Sequence, residues 1–452
     1  MVKKLLPLII VLVVVGLLYY RPYEKIVQKS EDKTIIDFSK IGKIDDKINL
    51  APIPKLKKEN KKVILISLDT VRSDLGVYGY KRNISQNIDV FAKEKNSLVF
   101  QNAYTPVPET LPAHIALFTG LYPDKTGYKT NIGRNEGLNF TSISKVFKEN
   151  GYSTAGFYSS VVFSENNNID LGFDQIDPPL EYKWSDRVEI SAQETNKKAF
   201  EWLETNSKED FFLWLHYYEA HNPYTAFCVS DLYSKNLKPA NSDYIDGSIK
   251  LADQSLWKNI KKADYDYLRA IYDEEIYCLD KEFANLITKL KSLGIYDDST
   301  IIVFGDHGES FEHQALFHGF KLYQPEVKVP LIVKSPLINV KTTNNISLLD
   351  IFPTLVEYFG LNIGQTINFD GISLSQLERN PNRLLYLETA GATINSNQID
   401  KGLVFNNFKY IKNSRSDEFY NLETDKNEEN NLFDKITKAQ KNQLQELIKI
   451  KP

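Results

Sequence analysis

Two segments of the sequence end an apolar run with residues that can bind a metal ion. In VILISLDT the run stops at Asp69, and in TIIVFGDHG it stops at Asp306 and His307. Carboxylates together with an imidazole are typical ligands of a divalent cation. A single Asp after a strand more often caps a turn, but the Asp-His-Gly sequence is a rarer pattern. We therefore expect a metal site formed by Asp69, Asp306 and His307.

A third segment, PETLPAHIALFTGLYP, places a hydroxyl group at the start of a predicted helix. Pro112 suits the first helical turn, where its missing N–H costs nothing. Thr110 then lies beside the free N–H groups and the positive end of the helix dipole. A hydroxyl bound to the metal there would become a nucleophile, and the same N–H groups could bind an anionic ester. The alternative is that Thr110 only caps the helix.

The histidines are concentrated in one part of the chain. All 6 lie between residues 114 and 318, and most of them fall in the segments HYYEAH, DH and HQALFH. Each of these segments is at or after a predicted strand. This distribution predicts one pocket that needs proton donors and anion-binding groups near neutral pH.

The elements that must position these residues alternate between strand and helix patterns. Continuous apolar runs such as KVILISL and STIIVFG are typical of buried parallel strands. Helical patterns near residues 87–95 and 141–150, and in YLRAIYDEEIYCLDKEFANLITKLKSLG, separate the strands. The alternation predicts an α/β fold with a mostly parallel central sheet flanked by helices. In such sheets the ligand lies beyond the carboxyl ends of the strands, where Asp69 and Asp306 stand.

The pattern changes along the chain and divides it into four parts. We expect a membrane anchor or signal segment over 1–22, a linker over 23–60 and a catalytic α/β domain over 61–380. Short strand patterns from about residue 380, followed by a polar helix at roughly 431–448, predict a small antiparallel C-terminal subdomain over 381–452.

The N-terminal segment carries an apolar run from Leu5 to Tyr20 between Lys4 and Arg21. The flanking cations can reach the membrane surface, and no small-residue cleavage site follows the run. A signal anchor is therefore favoured over a cleaved signal peptide. Either one would place the rest of the chain outside the cytoplasm, in a periplasm or at the cell surface.

Composition narrows the possible partners and the compartment. The chain of 452 residues has a net charge of -4 and lacks the basic field of nucleic-acid-binding proteins, so we expect no nucleic-acid partner. Cys228 and Cys278 could pair in an oxidising compartment or could remain two free thiols. The sequence leaves both alternatives open.

Several of these motifs together resemble the sulfatase family within the alkaline phosphatase superfamily. The similar segments are SLDTVRSDLGVYGY, TPVPETLPAHIALFTGLYP, HYYEAHNPY, DHGES…HGFKLYQPEVKVPLIV and FKYIKN…EFYNLETDKNEENNL. The resemblance implies an alkaline-phosphatase-like fold with metal ligands Asp69, Asp306, His307 and Thr110, the last of which is also the nucleophile. It further implies substrate contacts from His221 and His318, a His114 that replaces an arginine of the family and orients Thr110, and, more weakly, anion binding by Lys321.

The sequence also departs from the family pattern. Sulfatases oxidise a Cys or Ser to formylglycine, whereas the β-carbon of Thr110 carries a methyl group, so its oxidation would give a ketone. Thr70 stands where many sulfatases have another Asp, and His307 where many have Asn. These changes are similar to threonine-using relatives that act on phosphate or phosphonate esters, including exported enzymes that transfer lipid headgroup phosphates.

The sequence thus predicts an exported, membrane-anchored, metal-dependent hydrolase that attacks phosphate, phosphonate or sulfate esters with Thr110 and forms a covalent intermediate. The alternatives are a sulfuric ester hydrolase without formylglycine, a transferase of phosphoryl headgroups, and a catalytically silent envelope binding protein. An imidazole ligand fits Mn²⁺ or Zn²⁺ better than Ca²⁺, but the sequence does not identify the metal. The expected partners are an anionic ester with a lipid or glycan headgroup and the membrane.

Overall fold

A computed structural model describes residues 61–131, 140–163, 171–177, 191–240, 259–340, 342–364, 367–389 and 399–449. The predicted anchor and linker, 1–22 and 23–60, lie outside the described residues. Within these ranges no helix is both long enough and apolar enough to cross a bilayer. The boundary between the catalytic domain and the C-terminal subdomain stays a prediction.

The regular elements follow the predicted alternation for most of the chain. The described strands are β1 (Lys62–Leu68), β2 (Ser97–Val99), β3 (Ala103–Tyr104), β4 (Ser153–Phe157), β5 (Gln175–Asp177), β6 (Phe211–Tyr217), β7 (Ser299–Gly305), β8 (Lys328–Val329), β9 (Leu331–Lys334), β10 (Ile346–Ser347), β11 (Leu384–Glu388), β12 (Lys401–Phe405), β13 (Phe408–Lys412) and β14 (Glu418–Asn421). The described α-helices are α1 (Gln86–Ala92), α2 (Thr110–Thr119), α3 (Pro123–Thr126), α4 (Ile143–Glu149), α5 (Ala192–Asn206), α6 (Lys262–Ser292), α7 (Gln324–Val327), α8 (Ile351–Phe359) and α9 (Lys438–Leu447).

The central sheet has β1 in its middle. Among the described residues the strand order is β2-β9-β7-β1-β6-β4-β5, and β1 runs parallel to both β7 and β6. Among the described strand pairs of this sheet, only those that involve β9 are antiparallel. The predicted α/β fold with a mostly parallel sheet is confirmed.

Helices cover both faces of this sheet because its strands are apolar on both sides. Val63 and Leu65 pack into a core with α2, α4 and α8, whereas Ile64 and Ile66 pack into a second core with α1, α5 and α6. Successive side chains of a strand point to opposite faces, so a continuous apolar run requires cover on both. This packing fixes β1 and its carboxyl end in the centre of the molecule.

Helix α2 begins at Thr110 itself, one residue earlier than expected, with Glu109 as its N-cap in an extended conformation. Pro112 is the third helical residue and lies in the first turn as predicted. Every residue of α2 is buried, and the helix ends at Gly120, whose φ of 67° is in the left-handed region. The segment is therefore a core helix, and its first residue is held rigidly.

The small C-terminal antiparallel sheet is also confirmed, in the order β11-β12-β13-β14. The closing helix starts later than the predicted 431–448. Thr437 forms a capping box with Gln440 and starts α9 at Lys438, while a separate 3-10 turn covers Phe433–Lys435. The sequence pattern did not show this break, because the capping residues Thr437 and Gln440 are themselves polar and lie within the polar segment.

Two long-range links attach loops to this framework. A disulfide joins Cys228, in the loop after β6, to Cys278 on α6, which decides between the two alternatives left open by the sequence. Lys409 on β13 forms a fully buried ion pair with Glu428 at 2.6 Å and donates a hydrogen bond to Leu322 O at 2.6 Å. The second link fixes the segment between β7 and β8 against the C-terminal sheet.

Candidate active site

The central strands bring the predicted metal-binding residues together. Leu68 and Gly305 are register partners on β1 and β7, so Asp69 and Asp306 leave adjacent parallel strands at the same level. Asp69, Asp306 and His307 are each 0% exposed, and their ligand atoms all lie within 4.8 Å of one another. This is the spacing that a shared cation requires.

The nucleophile candidate lies at the same point. Thr110 Oγ1 is 3.2 Å from His307 Nε2, and Thr110 is 1% exposed. The start of α2 offers an ester fewer N–H donors than expected, however, because Leu111 N–H donates to Asn131 Oδ1 and Pro112 has no N–H. Side chains must therefore supply most of the contacts to a bound anion.

The tautomer of His307 is set by the backbone carbonyl of the next residue, Gly308. Its Nδ1–H donates to Gly308 O at 3.0 Å, which leaves the Nε2 lone pair facing Asp306 Oδ2 at 3.6 Å and Asp69 Oδ1 at 3.8 Å. Burial, followed by the neighbouring His318, lowers the pKa of His307 to about 4. The ring is thus neutral near pH 7, the form in which imidazole binds metals.

The charge balance of the cluster favours a cation. Asp306 Oδ1 accepts hydrogen bonds from the N–H groups of Thr70 and His307, at 3.1 and 2.8 Å. Its Oδ2 is buried and has no hydrogen bond within the described part of the chain. Burial and, second, the nearby Asp69 carboxylate raise the pKa of Asp306 to about 7. A bound divalent cation would stabilise both carboxylates, so the residues present fit a metal.

Two further histidines flank the carboxylates. His216 Nε2 is 3.2 Å from Asp69 Oδ2, and His114 Nδ1 is 3.6 Å from Asp306 Oδ2. Together with Asp306 these rings form a second group whose ligand atoms lie within 4.8 Å. His114 Nδ1–H also donates to the backbone carbonyl of Thr110 at 2.8 Å, so it contacts the main chain of that residue.

His216 was missed as an individual site residue by the sequence analysis. A signal did exist, because it lies one residue before the end of β6 and is the register partner of Ser67 on β1. A histidine in a fully buried strand beside β1 must face the cluster of metal-binding residues, because its ring nitrogens would otherwise be left unpaired.

The two predicted substrate-contacting histidines stand next to this group. The ring centroid of His318 is 4.3 Å from that of His307, and the ring of His221 is 5.1 Å from that of His318. His221 stacks on Tyr218 at 4.4 Å. Five of the six histidines therefore lie close together around the strand ends, whereas His313 stacks on Tyr323.

A buried carboxyl group that the sequence analysis did not single out orients His318. Glu309 Oε1 lies 3.0 Å from His318 Nδ1, and Glu309 Oε2 accepts a hydrogen bond from Tyr224 OH at 3.0 Å. Glu309 is 0% exposed, and burial raises its pKa to about 8. The hydrogen bond fixes the ring plane of His318, so that its Nε2 is the nitrogen left to meet a substrate.

Lys321 has a different position from the histidines. Its backbone N–H donates to Glu326 Oε2. Burial raises the pKa of both Glu326 and Asp400, and the Lys321 ammonium partly opposes this rise. The side chain therefore lies near two carboxylates. The structure brings together the other predicted site residues, and the role of Lys321 in anion binding stays a prediction.

Gly308 allows the close packing beneath the site. A Cβ built there would be 1.9 Å from Pro325 O and 3.2 Å from Arg72 Cγ. The φ of Gly308 is not in the left-handed region. Room for the neighbouring backbone is the reason for a glycine here.

The site thus combines a mostly parallel α/β sheet with a carboxylate–imidazole cluster and a buried threonine beyond its central strand. Residues 61–361 match the Sulfatase family, and the chain belongs to that family. The protein is accordingly a sulfatase-like ester hydrolase.

Several known proteins are similar to the chain over most of its length. Arylsulfatase K of Bos taurus is 24% identical over 413 residues, which cover 77% of this chain and 74% of the relative. The phosphonate monoester hydrolase of Agrobacterium radiobacter has 18% identity and a TM-score of 0.65, and the match covers 86% of this chain and 94% of that one. BT4656, solved with its substrate D-glucosamine-2-N,6-O-disulfate, has 18% identity, a TM-score of 0.67 and coverages of 86% and 96%. The two structural similarities establish the fold.

Proposed function

We propose that the protein hydrolyses phosphate or phosphonate esters with Thr110 as the nucleophile, in an exported, metal-dependent active site. The observation that carries this proposal is the position of Thr110 Oγ1, which is buried 3.2 Å from His307 Nε2 and beside two buried carboxylates. A threonine that served only as a helix cap would not need this cluster. The N-cap position is in any case occupied by Glu109.

The methyl group of Thr110 excludes the formylglycine route. Oxidation of a threonine side chain gives a ketone, which lacks the aldehyde hydrogen of formylglycine. The covalent ester on Thr110 must therefore be cleaved at phosphorus or sulfur itself. Phosphoryl esters of hydroxyl residues are ordinary covalent intermediates, which favours phosphorus.

In this reaction the Thr110 hydroxyl gives up its proton to solvent water, and its Oγ1 attacks the phosphorus atom. An Oγ–P bond forms as the bond to the leaving oxygen breaks. His318 or His221 supplies a proton to that oxygen. Water, or an acceptor alcohol in a transfer reaction, then cleaves the Oγ–P bond and restores the hydroxyl. Because the start of α2 offers few free N–H groups, these histidines also contact the non-bridging oxygens.

Asp69, Asp306 and His307 would hold the metal ion, with Thr110 Oγ1 as a further ligand. The bound cation would supply Lewis acidity that lowers the pKa of the attacking hydroxyl and neutralises charge on the ester oxygens. His114 and His216 flank the carboxylates as neutral rings, because burial lowers their pKa values to about 3 and about 4.

A sulfate ester is the second candidate substrate. It is favoured by the sulfatases among the similar proteins, including one solved with a disulfated glucosamine. A sulfated or phosphorylated group on a glycan or lipid fits the same contacts, which are the histidine rings and the proposed metal ion. The two candidate functions differ in whether the wild type hydrolyses phosphate-type esters or sulfate esters faster.

The test compares wild type, Thr110→Ala and Thr110→Ser on aryl phosphate monoesters, phosphodiesters, phosphonate monoesters and sulfate esters with added Mn²⁺ or Zn²⁺. We expect Thr110→Ala to lower kcat/KM on the order of 10³-fold or more, since it removes the nucleophile. Thr110→Ser should keep part of the activity because it retains the hydroxyl. We expect phosphate-type esters to exceed sulfate esters.

Thr119→Ala is the matched control, because Thr119 is also on α2, is 0% exposed and donates its hydroxyl hydrogen to Ile115 O. It should cost about 1 kcal/mol of stability without a comparable loss of turnover. Full activity in Thr110→Ala would remove Thr110 from the mechanism. Faster turnover of sulfate than of every phosphate ester would favour the second candidate.

We also propose that residues beyond 60 act outside the cytoplasm, with 1–22 as the anchor. The Cys228–Cys278 disulfide supports this location, since such bonds persist in oxidising compartments. Protein purified from the membrane fraction should begin at the original N-terminus when sequenced. A start near residue 22–30 would indicate a cleaved signal, and a cytoplasmic protein with both thiols reduced would contradict export.

A further inference from the structure

Two buried histidines stand beside the catalytic carboxylates but carry no step of the reaction proposed above. His114 lies on α2 and His216 on β6, and both side chains are 0% exposed. A ring nitrogen of each and an oxygen of Asp306 lie within 4.8 Å of one another. Two imidazoles and a carboxylate at this spacing form a second group of possible metal ligands, which shares Asp306 with the first group.

The ligand atoms of this second group lack the hydrogen bonds that buried polar atoms normally form. His114 Nδ1–H donates to Thr110 O at 2.8 Å, so the lone pair of this ring is on Nε2. His114 Nε2, both ring nitrogens of His216 and Asp306 Oδ2 are buried, and none forms a hydrogen bond within the described residues. A bound cation would satisfy the free lone pairs together, since neutral imidazole is the form that binds metals.

The two carboxylate oxygens of Asp69 face different histidines. Its Oδ1 lies 3.8 Å from His307 Nε2, in the first group, whereas its Oδ2 lies 3.2 Å from His216 Nε2. The contact with His216 does not have the geometry of a hydrogen bond. Its length is close to the separation of about 3.4 Å between two ligand atoms that each lie about 2.1 Å from one tetrahedral Zn²⁺. Asp69 can therefore bridge a cation beside His307 and another beside His216.

Aromatic side chains enclose the second group. The ring centroid of Phe163 lies 4.9 Å from that of His114 and 5.2 Å from that of His216. The ring of Trp214 lies 5.5 Å from His114 and 6.1 Å from His216, and both aromatic residues are themselves buried. A cation held there would contact the carboxylates but not a bound ester.

We infer that His114 and His216, together with the two catalytic carboxylates, form a second, enclosed metal site for Zn²⁺ or a similar transition metal. Imidazole and carboxylate ligands suit Zn²⁺, whereas Ca²⁺ and Mg²⁺ prefer sites made of oxygen atoms. The inference rests on the first metal site of the proposed function, because the carboxylates are shared. A second cation would add a permanent positive charge near the main chain of Thr110, where the family has an arginine and this chain has the neutral His114 ring.

The experiment counts bound Zn²⁺ by titrating the metal-free protein in competition with a chromophoric chelator, so its readout does not depend on turnover. We expect the wild type to bind about two ions per chain. The second ion should bind more weakly than the first, because its carboxylates are already neutralised in part, and purified protein should keep only the first. His216→Gln should bind about one ion per chain, since it removes an imidazole that only the second group contains.

His313→Gln is the matched control, because His313 stacks on Tyr323 and belongs to neither group. It should bind as many ions as the wild type. His114→Gln should lose the second ion while its amide can still donate to Thr110 O, and circular dichroism checks that each metal-free variant is folded. A wild type that saturates at a single Zn²⁺, or a second ion that both test variants retain, would overturn the site. Equal affinity of the second site for Ca²⁺ would overturn the class of metal.

Failure of this inference can be distinguished from failure of the proposed function. A protein that binds the second Zn²⁺ through His114 and His216 but hydrolyses no ester would contradict only the proposed function. Ester turnover that depends on Thr110 in a protein that binds a single Zn²⁺ would contradict only the second metal site.

Discussion

His114 changes the electrostatics at the nucleophile. An arginine in its place would carry a permanent positive charge, whereas burial lowers the pKa of His114 to about 3 and keeps the ring neutral. Its Nε2 is buried and has no hydrogen bond within the described residues. The positive charge that stabilises a transition state would then come mainly from a cation held by Asp69 and Asp306. Metal dependence is therefore the property that tests the site most directly.

We predict that Asp306→Asn loses the bound metal and nearly all turnover. Asp306 belongs to both groups of possible ligands, so the outcome does not depend on whether His307 or His216 completes the site. An amide removes the charge that binds the cation but keeps nearly the same shape. Metal content by mass spectrometry after purification should fall from about one ion per chain to a trace amount.

Asp280→Asn is the control for this loss of a buried carboxylate. Asp280 is 3% exposed and accepts hydrogen bonds from the N–H groups of Asn87 and Ile88, at the contact between α6 and α1. Its metal content should equal that of the wild type. If Asp306→Asn retains a stoichiometric ion, the proposed ligand set is wrong.

Residue types and spacing predicted the juxtaposition of Asp69, Thr110, Asp306 and His307, because each follows a strand end or starts a helix. Glu309 could not be assigned in this way. Its importance depends on Tyr224 and His318, which approach it from separate loops. The position of the Lys321 side chain could not be predicted from the sequence either, because a flexible lysine can point towards nearby carboxylates instead of into the site.

At the scale of elements, the site depends on how closely the turn after β7 packs on its neighbours. Gly308 N–H donates to Glu326 O at 2.9 Å, and Arg72 donates to Glu309 O at 3.0 Å. The turn is therefore held between the loop after β1 and helix α7. A displacement of this turn would move His307 away from Thr110.

We predict that Gly308→Ala lowers kcat strongly and costs about 1–3 kcal/mol of stability, because the added methyl group would overlap Pro325 O. Circular dichroism and urea unfolding measure the stability, and aryl ester turnover measures the site. The loss of kcat should be larger than the decrease in the fraction of folded protein can explain.

Gly360→Ala provides the comparison. Gly360 follows α8 with a φ of 59°, and a Cβ there would meet nothing within 4 Å. Alanine in the left-handed region should cost about 1–2 kcal/mol without affecting the chemistry. Equal turnover in Gly308→Ala and Gly360→Ala would show that the turn tolerates displacement.

The order of elements was more predictable than their ends. Apolar runs identified β1 and β7 because both faces of these strands are covered, and that requirement is visible in the sequence. The predicted start of α9 was too early. The residues around it are polar and show no strong apolar face, so only the capping box at Thr437 marks where the helix begins. The pairing of β9 against β7 in an antiparallel sense depends on a connection that no local pattern encodes.

At the scale of the whole molecule, the C-terminal sheet completes the framework of the site. The segment from His318 to Val327 crosses from the histidine cluster to the C-terminal sheet, and Tyr323 OH donates to Glu418 Oε2 at 2.9 Å. Lys409 contacts the same segment from β13. The catalytic cluster therefore shares a wall with the C-terminal sheet.

Buried carboxyl groups in this shared wall give the stability of the protein a predictable dependence on pH. Glu326 is 0% exposed, and burial raises its pKa to about 8. A carboxyl group whose pKa is higher in the folded state adds stability that is fully present below its unfolded pKa and is lost as the pH rises through the folded value. The buried histidines have the opposite sign, but their contribution changes only below about pH 6.5, their unfolded pKa. Between pH 6.5 and 8.5 the free energy of unfolding should therefore fall.

We predict that Glu326→Gln reduces this fall by up to about 1.4 kcal/mol per pH unit, the limit for one proton. The glutamine cannot ionise, and its carbonyl oxygen can still accept the N–H groups of Phe320 and Lys321, which Glu326 Oε2 accepts at 3.2 and 3.1 Å. Urea unfolding of the metal-free protein at pH 6.5, 7.5 and 8.5 measures the slope. Glu446→Gln, at a side chain that is 68% exposed, should have the wild-type slope. A slope in Glu326→Gln as steep as that of the wild type would mean that Glu326 is already ionised at pH 6.5, with Lys321 compensating its burial.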